Sequence, residues 1–241
     1  MKLKSPAAYC VVIALLCVFS GCQKTPDVAN PVPATAPATA PASAPDIMSL
    51  EVGQEAELFN GHNLTGWNVA SKDWFSAPGD VGVKNGLLSL GYGSDLTGVQ
   101  WSGEMLRNDY VITLEARRTK GLDFFCGLTF PVNDSHVTLI LGGWGGTAVG
   151  LSNVNDMSAI ENEGGTWMEF TDDKWYDVEV RVTEDHIRVF IDGKKVIDQE
   201  IKENKFTIWP QMEDVRPLGV ATYCTVGEFR RIAVMRMPDS Q

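Results

Sequence analysis

The sequence predicts an all-β domain, a β-sandwich or jelly roll, standing behind a secretion signal and a tether. Three observations carry that expectation. Residues 110–117 and 176–181 alternate apolar and polar side chains with period two, as a strand with one buried face requires. Short apolar runs recur along the chain with turn residues between them, and most of the 23 glycines fall in those intervals. No segment carries an apolar stripe at helical spacing.

Taken from the N-terminus, Lys2 and Lys4 precede an apolar run over residues 7–19. The run is shorter than the ~20 residues a helix needs to cross a bilayer, and it suits the core of a signal peptide. It ends in Phe19-Ser20-Gly21-Cys22, which is similar to the bacterial lipobox, whose cysteine is acylated and becomes the first mature residue. Residues 1–21 are therefore expected to be a lipoprotein signal peptide, with Cys22 as the lipidation site and anchor to a membrane of the bacterial envelope, facing the periplasm or the cell surface. An ordinary cleaved signal with an incidental cysteine is the alternative. Residues 22–48 read as a Pro/Ala/Thr-rich tether, because Pro31, Pro33, Pro37, Pro41 and Pro45 punctuate a repeat with no large side chain to bury. Residues 49–241 form the domain. Strands are expected over 87–90, 110–117, 124–130, 137–141, 176–181, 186–191, 195–200, 218–223 and 229–235, with Asp192-Gly193 as a hairpin turn.

Hydrophobic residues at 44% supply a sizeable core. The net charge of −11, more negative still once Lys2 and Lys4 leave with the signal, repels phosphate backbones and argues against a nucleic-acid partner. Cys126 and Cys224 are the cysteines left in the domain after the signal and Cys22. They could pair as one disulfide or remain buried thiols, and neither has metal-ligand spacing. A phosphate-cradling loop, a serine-nucleophile elbow and a strict metal motif are all missing.

The segment Leu58-Phe59-Asn60-Gly61-His62-Asn63-Leu64-Thr65-Gly66-Trp67 resembles the entry motif of the 3-keto-disaccharide hydrolase domain family. The resemblance continues through Val83-Lys84-Asn85-Gly86-Leu87, the strand 110–117, Lys174-Trp175-Tyr176, Phe190-Ile191-Asp192-Gly193 and Glu228-Phe229-Arg230-Arg231-Ile232, covering roughly residues 56–235. It implies a concanavalin A-like jelly roll whose concave face handles sugars, and an activity on glycosides oxidised at C3. There a ketone acidifies the C2 proton, a base removes it, and the glycosidic bond breaks by elimination before water adds. The middle of this chain departs from the family pattern, with Asp123-Phe124-Phe125-Cys126-Gly127-Leu128 and Gly142-Gly143-Trp144-Gly145-Gly146 where other motifs stand.

Candidate site residues follow from the same residues. Glu115 and Arg117 share a strand face, since i and i+2 point the same way, and could serve as a base and an enolate clamp or as a surface ion pair. Asp123, Asp134 and His136 flank two strands read as adjacent, a grouping suited to proton transfer or metal ligation. Trp144, flanked by glycines that cannot hide its indole, could stack on a sugar ring or fold back into the core. Glu161 and Asn162, in a long polar loop, could bind sugar hydroxyls or help hold a divalent cation such as Ca²⁺, which prefers oxygen ligands. The expected protein is a monomeric, lipid-anchored, glycan-active hydrolase or lyase with carbohydrate as its partner. The alternatives are a tethered, non-catalytic lectin-like module and a protein-binding envelope protein without a sugar site.

Overall fold

The computed structural model describes residues 43–239. The expected signal peptide, Cys22 and most of the expected tether lie outside the described residues. The first strands are β1 (Glu55–Glu57), β2 (Trp67–Val69), β3 (Val81–Lys84), β4 (Leu87–Leu90), β5 (Leu96–Trp101), β6 (Tyr110–Gly121), β7 (Cys126–Val132) and β8 (Ser135–Gly142). They continue with β9 (Ala148–Ser152), β10 (Thr166–Trp167), β11 (Tyr176–Val182), β12 (His186–Ile191), β13 (Lys194–Glu200), β14 (Gly219–Tyr223) and β15 (Thr225–Arg236). One sheet runs β13-β12-β11-β6-β15-β4-β3, with β1 also paired to β15. The other runs β10-β9-β8-β7-β14-β5-β2. Neighbouring strands are antiparallel throughout both sheets, so the all-β jelly roll expected from the sequence is the fold observed.

In the first sheet the local pattern follows the sequence directly. Tyr176, Val178, Val180 and Val182 of β11 point inward, while Asp177 and Arg181 face solvent. The β12–β13 hairpin turns through Asp192 (φ 50°) and Gly193 (φ 73°), two left-handed residues that match the twist of the flanking strands. Between the sheets, Leu114, Ala116, Val180 and Phe229 of the first meet Val99, Leu128, Phe130, Leu139 and Val220 of the second. Burial of each large side chain among them contributes about 1.5–3 kcal/mol over leaving it exposed.

The second sheet is covered on its outer face as well. Leu96, Phe124, Ile140 and Ala221 point away from the main core and pack against Phe75, Ala159, Met212 and Val215 from the loops. Those loops come close because the strands carry glycine at the contact points. A Cβ on Gly98 would meet Phe75, one on Gly150 would meet Ala159, and one on Gly219 would meet Val215. Consequently β7 and β9 are buried along their whole length rather than on alternate residues.

One boundary and one pair of side chains are sharper in the structure. Ile47, counted with the tether in the sequence, is 1% exposed and belongs to the core, and Asp46 caps the 3-10 turn Ile47–Ser49. The domain therefore takes in a few residues before Ser49. Cys126 and Cys224 are both free thiols, which decides between the two states open in the sequence.

Candidate functional site

The site is built around the turn Gly143–Gly146 that joins β8 to β9. Gly142 (φ 78°), Gly145 (φ 90°) and Gly146 (φ 104°) are left-handed, and so is Trp144 (φ 48°, ψ 55°). For a tryptophan that backbone costs about 1–3 kcal/mol and persists only when its surroundings impose it. Asp123 is one such restraint, its carboxylate accepting the backbone N–H of Phe124 at 2.8 Å and those of Trp144 and Gly145. Arg118 is the other, reaching the Gly146 carbonyl at 3.4 Å with Nη1. The Arg118 guanidinium is itself fixed by Asp172 at 2.6 Å and by the Phe170 carbonyl at 2.8 Å.

The turn delivers the Trp144 indole to a cleft of about 270 Å³ on the outer face of the second sheet. Trp144 meets Trp209 edge to face at 5.5 Å, and Phe124 stacks on Tyr223 at 6.0 Å. Ile140, Leu96 and Met212 add to its apolar lining, and Trp74 stands at the edge, 47% exposed. Asp123 lies in the wall. Burial pushes its carboxyl up from the usual aspartate value, outweighing the three backbone N–H groups that favour the charge. Gln211 also lines the cleft, and its Oε1 is buried without a hydrogen-bond partner.

Of the residues singled out in the sequence, Asp123 and Trp144 meet in this cleft. His136 shares the same face of β8 but sits one pleat beyond Thr138, about 7 Å farther along the strand. Its ring is 9% exposed and its Nε2 has no partner. Burial, with the Arg216 and Arg107 charges, holds its pKa down at about 4. Asp134 is exposed in the β7–β8 turn, at the opposite end of those strands from Asp123.

Glu115 and Arg117 lie on the outer face of the first sheet, across the sandwich from Asp123. They share a face as expected, but each pairs across to β15. Glu115 takes hydrogen bonds from Arg230 and from Arg231 at 2.7 Å, and Arg117 donates to Glu228 at 2.7 Å. The Arg117 and Arg230 guanidiniums both lie over the Trp175 ring, at 4.6 and 4.2 Å. Glu161 and Asn162 fold into their own loop over β9. The Asn162 amide donates to the Leu151 and Ser158 carbonyls at 2.8 and 2.7 Å, and Glu161 accepts the Ser158 N–H at 3.0 Å. Among the described residues no three His, Cys, Asp or Glu side chains are grouped to hold a metal ion. Trp74, Trp209, Gln211 and Tyr223 are cleft residues that sequence reasoning missed.

The family model for the 3-keto-alpha-glucoside-1,2-lyase-like domain matches residues 54–235. The chain belongs to this family. The lyase-like domain is also similar to several solved structures, at identities that speak for the fold alone. One is a protein from Parabacteroides distasonis assigned as a glycosyl hydrolase, 15% identical with a TM-score of 0.50, covering 76% of this chain and 94% of that one. Another is a Crh5 transglycosylase in complex with NAG, 12% identical with a TM-score of 0.53, over 82% of this chain and 89% of that one. A third is a family GH16 endo-beta-1,3(4)-glucanase, 12% identical with a TM-score of 0.53, over 81% and 99%. No curated protein matches the chain. Within the lyase-like domain the opening motif is a structural latch, since Trp67 Nε1 donates to the Leu58 carbonyl at 2.8 Å and the ring is buried. Membership thus establishes a carbohydrate-related domain, while Asp123, Phe124 and Trp144 of the cleft come from the divergent middle of the chain.

Proposed function

We propose that the domain acts on 3-keto-glycosides as a hydrolase or lyase in the cleft over the second sheet, with Asp123 as its acid–base group. The observation that supports this reading is a carboxyl of raised proton affinity in the wall of an aromatic cleft. As a carboxylate, Asp123 removes the C2 proton that the neighbouring ketone has acidified. The electron pair forms the enolate, whose collapse to C1=C2 breaks the C1–O bond. The departing oxygen takes the proton from Asp123, and addition of water to C1=C2 completes hydrolysis. A raised pKa serves both halves, because it makes a stronger base than an ordinary aspartate and an acid still usable nearer neutral pH. The test is turnover of 3-keto-glucosides by the protein and its Asp123→Asn variant, in which the side-chain oxygen can still accept the turn's N–H groups. A loss of at least about a hundredfold in kcat is expected. Unchanged turnover in a folded variant would remove Asp123 from the chemistry.

A second reading, a non-catalytic carbohydrate-binding module, is favoured by the lining itself. Trp74, Trp144, Trp209 and Tyr223 offer ring faces, and Asp123 is the one carboxylate among the described residues lining the cleft. Glycan binding without turnover, lost in Trp144→Ala, would select it. In either case we propose a monomer carried on a lipid at Cys22 in the bacterial envelope, supported by Lys2, Lys4, the apolar run and Ser20-Gly21-Cys22. Incorporation of labelled palmitate should vanish in Cys22→Ser, and label retained in that variant would overturn the anchor.

A further inference from the structure

We infer that the cleft holds the aromatic aglycone of an aryl glycoside, with the sugar seated at its mouth beside Asp123. This rests on the assignment of the cleft as the glycoside site, and it names what that site selects.

The side-chain hydroxyls and the carboxylate of the lining are already engaged, which leaves a fully hydroxylated ring few acceptors deep in the cleft. Thr138 Oγ1 is paired with Thr129 Oγ1 at 2.8 Å. Ser152 Oγ bonds to Asn153 Oδ1 at 3.2 Å and accepts the Ala159 N–H at 3.1 Å. Asp123 already receives three backbone N–H groups. Gln211 Oε1 is left as the buried acceptor without a partner. A pyranose brings several hydroxyls, and each one buried unpaired costs about 1–3 kcal/mol. A phenolic ring brings flat carbon and at most one hydroxyl for Gln211.

The shape and charge of the cleft agree. An apolar cavity of about 150 Å³ suffices for benzene, so the 270 Å³ here admits a substituted aromatic ring. The Trp144–Trp209 and Phe124–Tyr223 pairs offer both ring edges and ring faces to a planar guest. No Lys, Arg or His lines the cleft among the described residues, so a carboxylated or phosphorylated ligand finds no counter-charge. Asp123 in the wall then faces the oxygen that joins aglycone to sugar, the atom that its proton must reach.

The experiment compares phenyl and methyl 3-keto-β-glucosides, by kcat/KM and by calorimetric titration, in the protein and in Trp209→Ala and Tyr223→Leu. Tyr223 is 37% exposed, so its variant folds even if Trp209→Ala does not, and circular dichroism checks both. A tighter affinity of at least about tenfold for the phenyl compound is expected, from one extra ring among the five aromatics of the lining. Because phenoxide also leaves more readily than methoxide, it is the change of the kcat/KM ratio in the variants that reads the cleft. Both substitutions should narrow that gap. Equal kcat/KM and equal affinity for the two glucosides would overturn the inference while leaving the proposed activity standing. Phenyl-selective binding without turnover would support the inference and count against the enzyme. Neither binding nor turnover of either compound would remove both.

Discussion

At half-buried Asp123 and buried His136, two titratable side chains are shifted in opposite directions because desolvation disfavours the charged form of each. For Asp123 this raises the pKa, and for His136 it lowers it to about 4. The base role proposed for Asp123 requires the carboxylate, so activity should fall on the acid side with an apparent pKa above that of an ordinary aspartate. A kcat/KM profile against pH reads this directly, and an acid limb at the ordinary value would contradict it. His136 acts on stability. The unfolded chain takes up its proton near 6.5, whereas the folded protein does so only near 4. Between those values the unfolded state binds more protons, so stability falls as pH drops, by about 3 kcal/mol at pH 4. Denaturant melts of His136→Gln should lack most of that loss, and a pH dependence equal to that of the native protein would refute the assignment.

Among the elements, the β8–β9 turn and the charged face of β6 make separable predictions. Gly146 has φ 104°, and a Cβ there would stand 2.9 Å from Arg118 Nη1. Gly146→Ala should therefore cost about 1–2 kcal/mol in urea unfolding and weaken ligand binding by shifting Trp144. Tolerance of alanine at both readouts would mean that the turn does not hold the indole. Glu115 is 8% exposed beneath Arg230 and Arg231. Glu115→Gln removes the charge that two guanidiniums share, and a stability loss of about 1–2 kcal/mol is expected. Turnover should change little, because the network lies on the far sheet. A hundredfold drop in kcat with native stability would place Glu115 in the chemistry after all.

Across the whole molecule, the two sheets differ in what covers them. The first meets solvent on its outer face with paired charges; the second is roofed by loops that leave one aromatic cleft open. Among the described residues the fold closes without a disulfide. The Cys126 thiol is buried in the core with its pKa pushed to about 12, and Cys224 bonds to the Ser94 carbonyl at 3.3 Å. Thermal unfolding should give the same Tm with and without reductant, and a reductant-dependent drop would point to a disulfide.

What the sequence determined by itself were the features set by near neighbours in the chain. Period-two alternation in β6 and β11 records a sheet with one wet face, Asp192-Gly193 records a hairpin, and the entry motif with its partner segments records the family. The non-alternating runs over 124–130 and 137–141 were the local traces of the roof, since only a sheet covered on both faces dispenses with alternation. The cleft itself had no such trace. Trp74, Asp123, Trp144, Trp209 and Tyr223 are spread over 150 positions from separate connections and one strand end, and no periodicity links them. Likewise Glu115, Arg117 and Asp123 are close in sequence yet fall on opposite sheets, because β6 and β7 are successive strands that cross the core. Tertiary structure alone decided which charges neutralise one another and which carboxyl is left among aromatic rings, since both depend on distances that chain spacing does not encode.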